Sequence, residues 1–174
     1  MSVTKKPLVQ IRDLEVQFSV RNRILTAIRR IDLDIYKGET IAIVGESGSG
    51  KSVFTKTLTG MLDENGRVSN GSIMYENYDL ATFKTNKDWL KIRGKKIATI
   101  FQDPMTSLNP LRRIGSQITE VLKLHRNLSE GEAVKEAIKL LGKVGIKNPE
   151  KRFRDYPFQY SGGMRQRVVI AIAL

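Results

Sequence analysis

Apolar and polar positions along the chain predict mainly strands in the first hundred residues and mainly helices in the rest. Leu8–Ser19 alternates imperfectly through Leu8, Gln10, Arg12, Leu14, Val16 and Phe18, and reads as a strand. Ile24–Ile35 predicts a second, with Ile31, Leu33 and Ile35 on one face. A turn at Lys37–Gly38 leads into Thr40–Val44, the apolar run TIAIV, which has the composition of a strand buried on both faces. A loop over Gly45–Gly50 then precedes a helix from Lys51 to about Met61. Asn65–Gly66 and Asn70–Gly71 are turn dipeptides, and Ser72–Tyr75 and Ile97–Phe101 read as further strands, the second of them buried. Pro104 and Pro110 bracket a loop. The spacing turns helical from Ile114 to Val144. Within it, Ser129 and Glu132 form a capping box ahead of Ala133, Ala137, Leu140, Leu141 and Val144. Pro149 and Pro157 mark loops before a last helix that begins near Ser161.

A length of 174 residues suits one domain, and the apolar and charged fractions are those of an ordinary globular protein. With no cysteine there is no disulfide framework and no thiolate metal site. The first ten residues carry basic side chains but no apolar core of a signal peptide, and no run approaches the ~20 apolar residues of a membrane span. The formal net charge of +12 is spread from Arg12 to Arg167, densest at Lys91, Arg93, Lys95 and Lys96. Such charge could attract nucleic acid or anionic lipid. Without a nucleic-acid motif, it reads as a solvated basic surface.

Chemistry concentrates in two short segments. Gly45–Ser52 reads GESGSGKS and matches the phosphate-loop pattern G-x-x-x-x-G-K-[ST]. Its residues are Gly45, Glu46, Ser47, Gly48, Ser49, Gly50, Lys51 and Ser52. The glycines let backbone N–H groups converge on phosphate oxygens, Lys51 can reach the β- and γ-phosphates, and the Ser52 hydroxyl can ligate Mg²⁺. The helix starting there adds the positive end of its dipole. The second segment is Ser161-Gly162-Gly163, ahead of the apolar run Val168–Leu174. Alone, such glycines are more often turn chemistry than ligand chemistry. They nevertheless offer a hydroxyl and a helix N-terminus, a second anion site. One triphosphate does not need two such sites on one face, so the pattern suggests two chains sandwiching a nucleotide. Gln102 ends the Ile97–Phe101 strand, where a side chain can point into a ligand crevice. Phe18 can serve the core or stack on a base. His125 reads as a surface or core histidine, and Asp103 as loop chemistry before Pro104.

With these motifs in this order, the sequence resembles the nucleotide-binding subunit of an ABC transporter over essentially its whole length. FQDPMTSLNP at Phe101–Pro110 and YSGGMRQR at Tyr160–Arg167 resemble the ATPases of oligopeptide, dipeptide and nickel importers. GMLDENGRVSNGSI after the first helix is similar to the D-type of their two unlike ATPases. The resemblance implies an α/β P-loop NTPase with an antiparallel β subdomain and a helical subdomain. It places the β subdomain and P-loop core at about residues 1–110, the helical subdomain at about 111–160 and the signature helix at 161–174.

The same resemblance implies ATP and Mg²⁺ as ligands. Phe18 would stack on adenine, and Gly45–Ser52 would bind the phosphates and metal. Gln102 would touch Mg²⁺ or the attacking water. Ser161, Gly162 and Gly163 would meet the γ-phosphate of ATP on the opposite subunit. Ile114–Val144 would dock on membrane subunits. Tyr160 and Met164 depart from the common Leu and Gln of the signature, as is frequent in the peptide-importer group. Implied partners are a second, unlike ATPase, two transmembrane permease subunits and an extracytoplasmic substrate-binding protein, at the cytoplasmic face of the plasma membrane. No nucleic acid is expected.

The family also places a buried strand ending in Asp-Glu soon after the signature helix. No such strand is present, so Leu174 is expected to be a truncation point, with the C-terminal part of the core sheet missing and no complete hydrolytic site. The run VVIAIA at Val168–Ala173 is then expected to be uncovered, and the chain to bind ATP without sustained hydrolysis. A non-hydrolysing regulatory fragment is one alternative. A DNA-associated ABC ATPase is another, disfavoured because the interval from Gln102 to Ser161 is short and holds no coiled coil or cysteine.

Overall fold

The imperfect alternation of the first strand has its cause in the backbone. β1 (Val9–Val20) buries Ile11, Leu14 and Val16 completely, a 3–2 spacing that no regular strand produces. Asp13 lies between them at φ 46°, and the pairing register shifts on both sides of Leu14. An inserted bulge therefore resets which residues face the core. On the neighbouring strand β3 (Gly66–Tyr75), Gly71 sits at the corresponding irregularity with φ 87°. A Cβ there would stand 2.4 Å from the carbonyl oxygens of both Arg12 and Asp13, so only glycine fits. Asn70–Gly71 is thus a kink within a continuous strand and not the turn its composition suggested. Asn70 Nδ2 donates to Asp13 Oδ2 at 2.6 Å and pins the distortion.

The computed structural model describes residues 6–101, 103 and 107–174, in two units, Met1–Lys91 and Ile92–Leu174. In the first unit, β1 turns through Arg21 and Asn22, both at positive φ, into β2 (Arg23–Ile35). Two left-handed central residues are what a tight hairpin requires. β3 pairs with the other edge of β1, and the short β4 (Tyr78–Asp79) closes an antiparallel sheet ordered β2-β1-β3-β4. Between β2 and β3 runs α1 (Lys51–Thr59), with Phe54 and Thr57 buried. The unit ends in the single turn α2 (Asn86–Trp89), capped by Thr85.

Two predicted strands are not strands. Thr40–Val44 forms no ladder with any described residue, and its side chains face solvent, Val44 at 89% exposure. Ile97–Phe101 forms only an isolated bridge from Ile97 to Arg93, and Ile100 and Phe101 are about half exposed. Apolar composition suits a segment to burial on both faces, but a strand exists only where neighbours pair its N–H and C=O groups.

The second unit is helical. α3 (Ile114–Arg126), α4 (Glu130–Lys143), the single turn α5 (Pro149–Arg152) and α6 (Gly162–Ala173) follow in order. The helical stretch Ile114–Val144 is therefore two helices, broken at Asn127 in the left-handed region. Ser129 caps α4, and Glu132 reaches back to the Ser129 N–H at 2.9 Å, as the capping-box spacing predicted. Ile114, Ile118, Leu122, Ala137, Leu141 and Val168 are among the residues that fill one core. The run in α6 is not bare. Val168, Val169 and Ala171 are buried, because α3 and α4 cover that side of the helix.

Asp88 in the first unit contributes to a pH dependence of stability. The Thr85 hydroxyl and N–H, and then Lys91, hold the Asp88 carboxyl at about 2, below the usual ~4. A carboxyl depressed in the fold stabilises above its ordinary value and loses that contribution as pH falls towards the folded value. Stability should therefore decline between about pH 4 and about pH 2, and more gently in Asp88→Asn. Urea midpoints across that range test this. A variant with the same slope as the parent chain would contradict it.

Candidate functional site

The loop Gly45–Gly50 is held by its own residues. Ser49 N–H donates to Glu46 O at 3.2 Å, and Gly50 serves as the N-cap of α1 at φ 91°. A Cβ at Gly50 would stand 2.8 Å from Ala27 O on β2, so glycine is required by both the backbone and its neighbour. The Lys51 ammonium folds over the loop and donates to Gly45 O at 2.7 Å, Glu46 O at 2.6 Å and Ser49 Oγ at 3.3 Å. Ser47 and Ser52 are exposed. The first turn of α1 carries no acidic residue, so no carboxylate there offsets the positive end of the helix. Chemically this is an anion cradle of ammonium, hydroxyls and helix N-terminus.

Phe18 is brought to the same place. A cavity of about 620 Å³ is lined by Phe18, Leu25, Ala27, Ser47, Gly48, Gly50, Lys51, Ser52 and Val53. An aromatic ring and a cationic phosphate-type loop thus share one space, enough for a planar base and an anionic tail. Leu25 and Ala27 were not singled out by sequence. The signal was available only through the β1–β2 register, which sets Phe18 opposite Leu25.

In the helical unit, Ser161 is the N-cap of α6 and its hydroxyl accepts from Met164 N–H at 3.3 Å. Gly162 and Gly163 are exposed, and a Cβ on either would meet nothing within 4 Å. They add no side chain to the first turn, so the Ser161 hydroxyl stands there with exposed backbone. Tyr160 is 2% exposed, and its hydroxyl donates to Arg152 O at 2.8 Å. Burial foremost, together with Asp155, pushes that phenol up to about 12, so it stays neutral. Tyr160 therefore fills a core position, with its polar tip satisfied. Gln102 lies outside the described residues. His125 packs over Gly94, its Nε2 lying 2.4 Å from where a Gly94 Cβ would be. Among the described residues there is no cluster of three or more His, Asp or Glu side chains able to hold a metal, and no helix long and apolar enough to cross a membrane.

One unit with an antiparallel sheet and a phosphate-type loop heading its helix, and a second, helical unit, make up a partial ABC ATPase fold. It aligns with the dimeric ATP-binding cassette MJ0796, solved in a post-hydrolysis state bound to ADP and Pi, at a TM-score of 0.80 and 27% identity. The alignment covers 95% of this chain and 68% of that one. The ABC transporter family model matches residues 28–174, and the chain belongs to that family. It is 58% identical over 174 residues to the oligopeptide transport ATP-binding protein AmiE of Streptococcus pneumoniae, covering 100% of this chain and 49% of that protein. The dipeptide transport ATP-binding protein DppD of Lactococcus lactis is 47% identical, over 99% of this chain and 49% of the relative. The oligopeptide transport ATP-binding protein OppD of Escherichia coli is 44% identical, over 96% and 49%. The chain spans about half the length of these curated relatives.

Proposed function

We propose that this chain is the nucleotide-binding part of an ATPase subunit that energises uptake of oligopeptides or dipeptides. The observation that supports this is the cavity lined by Phe18 together with Ser47, Gly48, Gly50, Lys51 and Ser52 of the loop. Its relatives' names supply the substrate class. In this reading Phe18 stacks on adenine, Gly45–Gly50 with Lys51 hold the phosphates, and Ser52 ligates Mg²⁺. Gln102 completes the metal or water site. Ser161, Gly162 and Gly163 address the γ-phosphate of ATP bound by a second, unlike ATPase. Two permease subunits, with a substrate-binding protein outside the cell, complete the system, and the chain works at the cytoplasmic membrane face. The segment GMLDENGRVSNGSI favours the D-type of the two ATPases.

Phosphoryl transfer to water needs a group that positions the water, besides charge stabilisation. The one Asp-Glu pair in the sequence, Asp63–Glu64, stands in the turn after α1, and Asp63 is engaged by Lys56 at 3.1 Å. This chain is therefore expected to bind MgATP in calorimetry while its phosphate release stays at background. Turnover that scales with protein, and vanishes in Lys51→Ala, would show that another residue here orients the water. Absence of any MgATP heat would overturn the nucleotide reading itself.

A further inference from the structure

Gly66 opens β3, and the strand register sets it directly opposite Phe18. On its other side Phe18 faces Leu25 of β2. Residues paired across strands share a face of the sheet. The Phe18 ring thus sits between an exposed leucine and a position with no side chain.

A Cβ built on Gly66 would stand 2.6 Å from Phe18 Cε1, 3.0 Å from Cζ and 3.1 Å from Cδ1. Its three nearest heavy atoms all belong to that one ring. The ring therefore lies across the β3 backbone in the space a side chain would take. The backbone itself does not ask for glycine, since Gly66 is not among the residues at positive φ. The turn before it, closed by Gly66 N–H to Asp63 O at 2.8 Å, puts glycine at its last position, where other residues fit without strain. What the missing side chain provides is room for Phe18.

We infer that Gly66 is a positioning residue for base recognition: its bare backbone seats the Phe18 ring against β3 and so orients that ring in the cavity it shares with Leu25, Ser47, Gly48 and Lys51. This rests on the nucleotide reading above and names what controls the base end of that site. A side chain at residue 66 swings the ring towards Leu25, into the volume a base would occupy. The phosphate end is untouched, because Gly45–Ser52 belongs to another segment and Gly66 is not among the residues lining the cavity. Base and phosphate affinity should therefore separate.

The test is calorimetry on the chain with MgATP and, separately, with inorganic triphosphate and Mg²⁺. The variants are Gly66→Ala, Phe18→Ala and the double substitution. Stacking on one aromatic ring sets the scale of the loss, about five- to a hundredfold. Gly66→Ala should weaken ATP binding by that order, towards the level of Phe18→Ala, and leave triphosphate binding unchanged. The double variant should bind ATP no more weakly than Phe18→Ala, since the ring that Gly66 positions is already gone. Parent-like ATP affinity in Gly66→Ala, or losses that simply add, would overturn the inference. If Gly66→Ala alone loses triphosphate binding through misfolding, the double variant must restore it, because the colliding ring is absent; failure to restore it also counts against the inference. A parent chain that binds neither ligand would instead sink the nucleotide reading, and one whose Phe18→Ala variant keeps full ATP affinity would remove the base contact.

Discussion

Lys51→Ala is expected to lower MgATP affinity by about a hundredfold or more. Hydrogen bonds to a charged group contribute ~1.5–3 kcal/mol each, and an ammonium that reaches two phosphates makes at least two. Together they amount to a factor of about a hundred or beyond. The geometry shows how the charge is kept ready. Lys51 Nζ rests on Gly45 O, Glu46 O and Ser49 Oγ, so it already lies over the loop it would share with phosphate oxygens. Truncation removes the charge and also three internal contacts of the loop. Lys51→Arg is expected to fall between the two, because a planar fork does not replace a compact point charge. Titration calorimetry at fixed salt checks both. Equal affinity for the alanine variant and the parent would mean that this loop is not where the phosphates sit.

Leu141→Ala is expected to cost about 2–5 kcal/mol of stability, the range for emptying a fully buried leucine site. Leu141 is 0% exposed on α4, in the same core as Ala137, Ile118 of α3 and Val168 of α6. Total stability of a domain is only ~5–15 kcal/mol, so this single change should shift the urea midpoint far. The consequence reaches the candidate signature segment, because Ser161–Gly163 heads the helix that this core holds in place. Lys135→Ala, on the exposed side of α4, should stay within ~0.5 kcal/mol and serves as the reference. A loss below about 1 kcal/mol for Leu141→Ala would show that the helices do not pack as described.

What could be read without the structure was local in sequence. The phosphate-type loop and the start of α1 follow from glycines, lysine and serine within eight consecutive residues. The capping box of α4 follows from a three-residue interval, and its buried face from apolar residues one turn apart. Each depends on groups that the chain itself holds within a few ångströms. The roles assigned to Phe18, Gln102 and Ser161–Gly163 came by resemblance, and they stand as proposals that the experiments above address.

The sequence by itself therefore determined where the longer helices begin, which of their faces are apolar, and that a glycine-rich loop with Lys51 heads α1. Pro149, by contrast, reads as a loop marker and opens the single turn α5. Tertiary structure alone decided matters in which the deciding partner is far along the chain. Asp13 and Gly71 form one kink because β1 and β3 are paired, and nothing near Asn70 distinguishes that glycine from a turn glycine. Gly66 reads as part of a turn until Phe18, 48 positions earlier, is found lying over it. Thr40–Val44 has the composition of a buried strand and yet no ladder, because pairing is supplied by neighbours and not by side chains. Val168 and Ala171 are covered because two helices from elsewhere in the chain reach them. Short-range hydrogen bonds and propensities act within a turn or two of the backbone, whereas burial and strand pairing depend on which distant segments come to lie alongside.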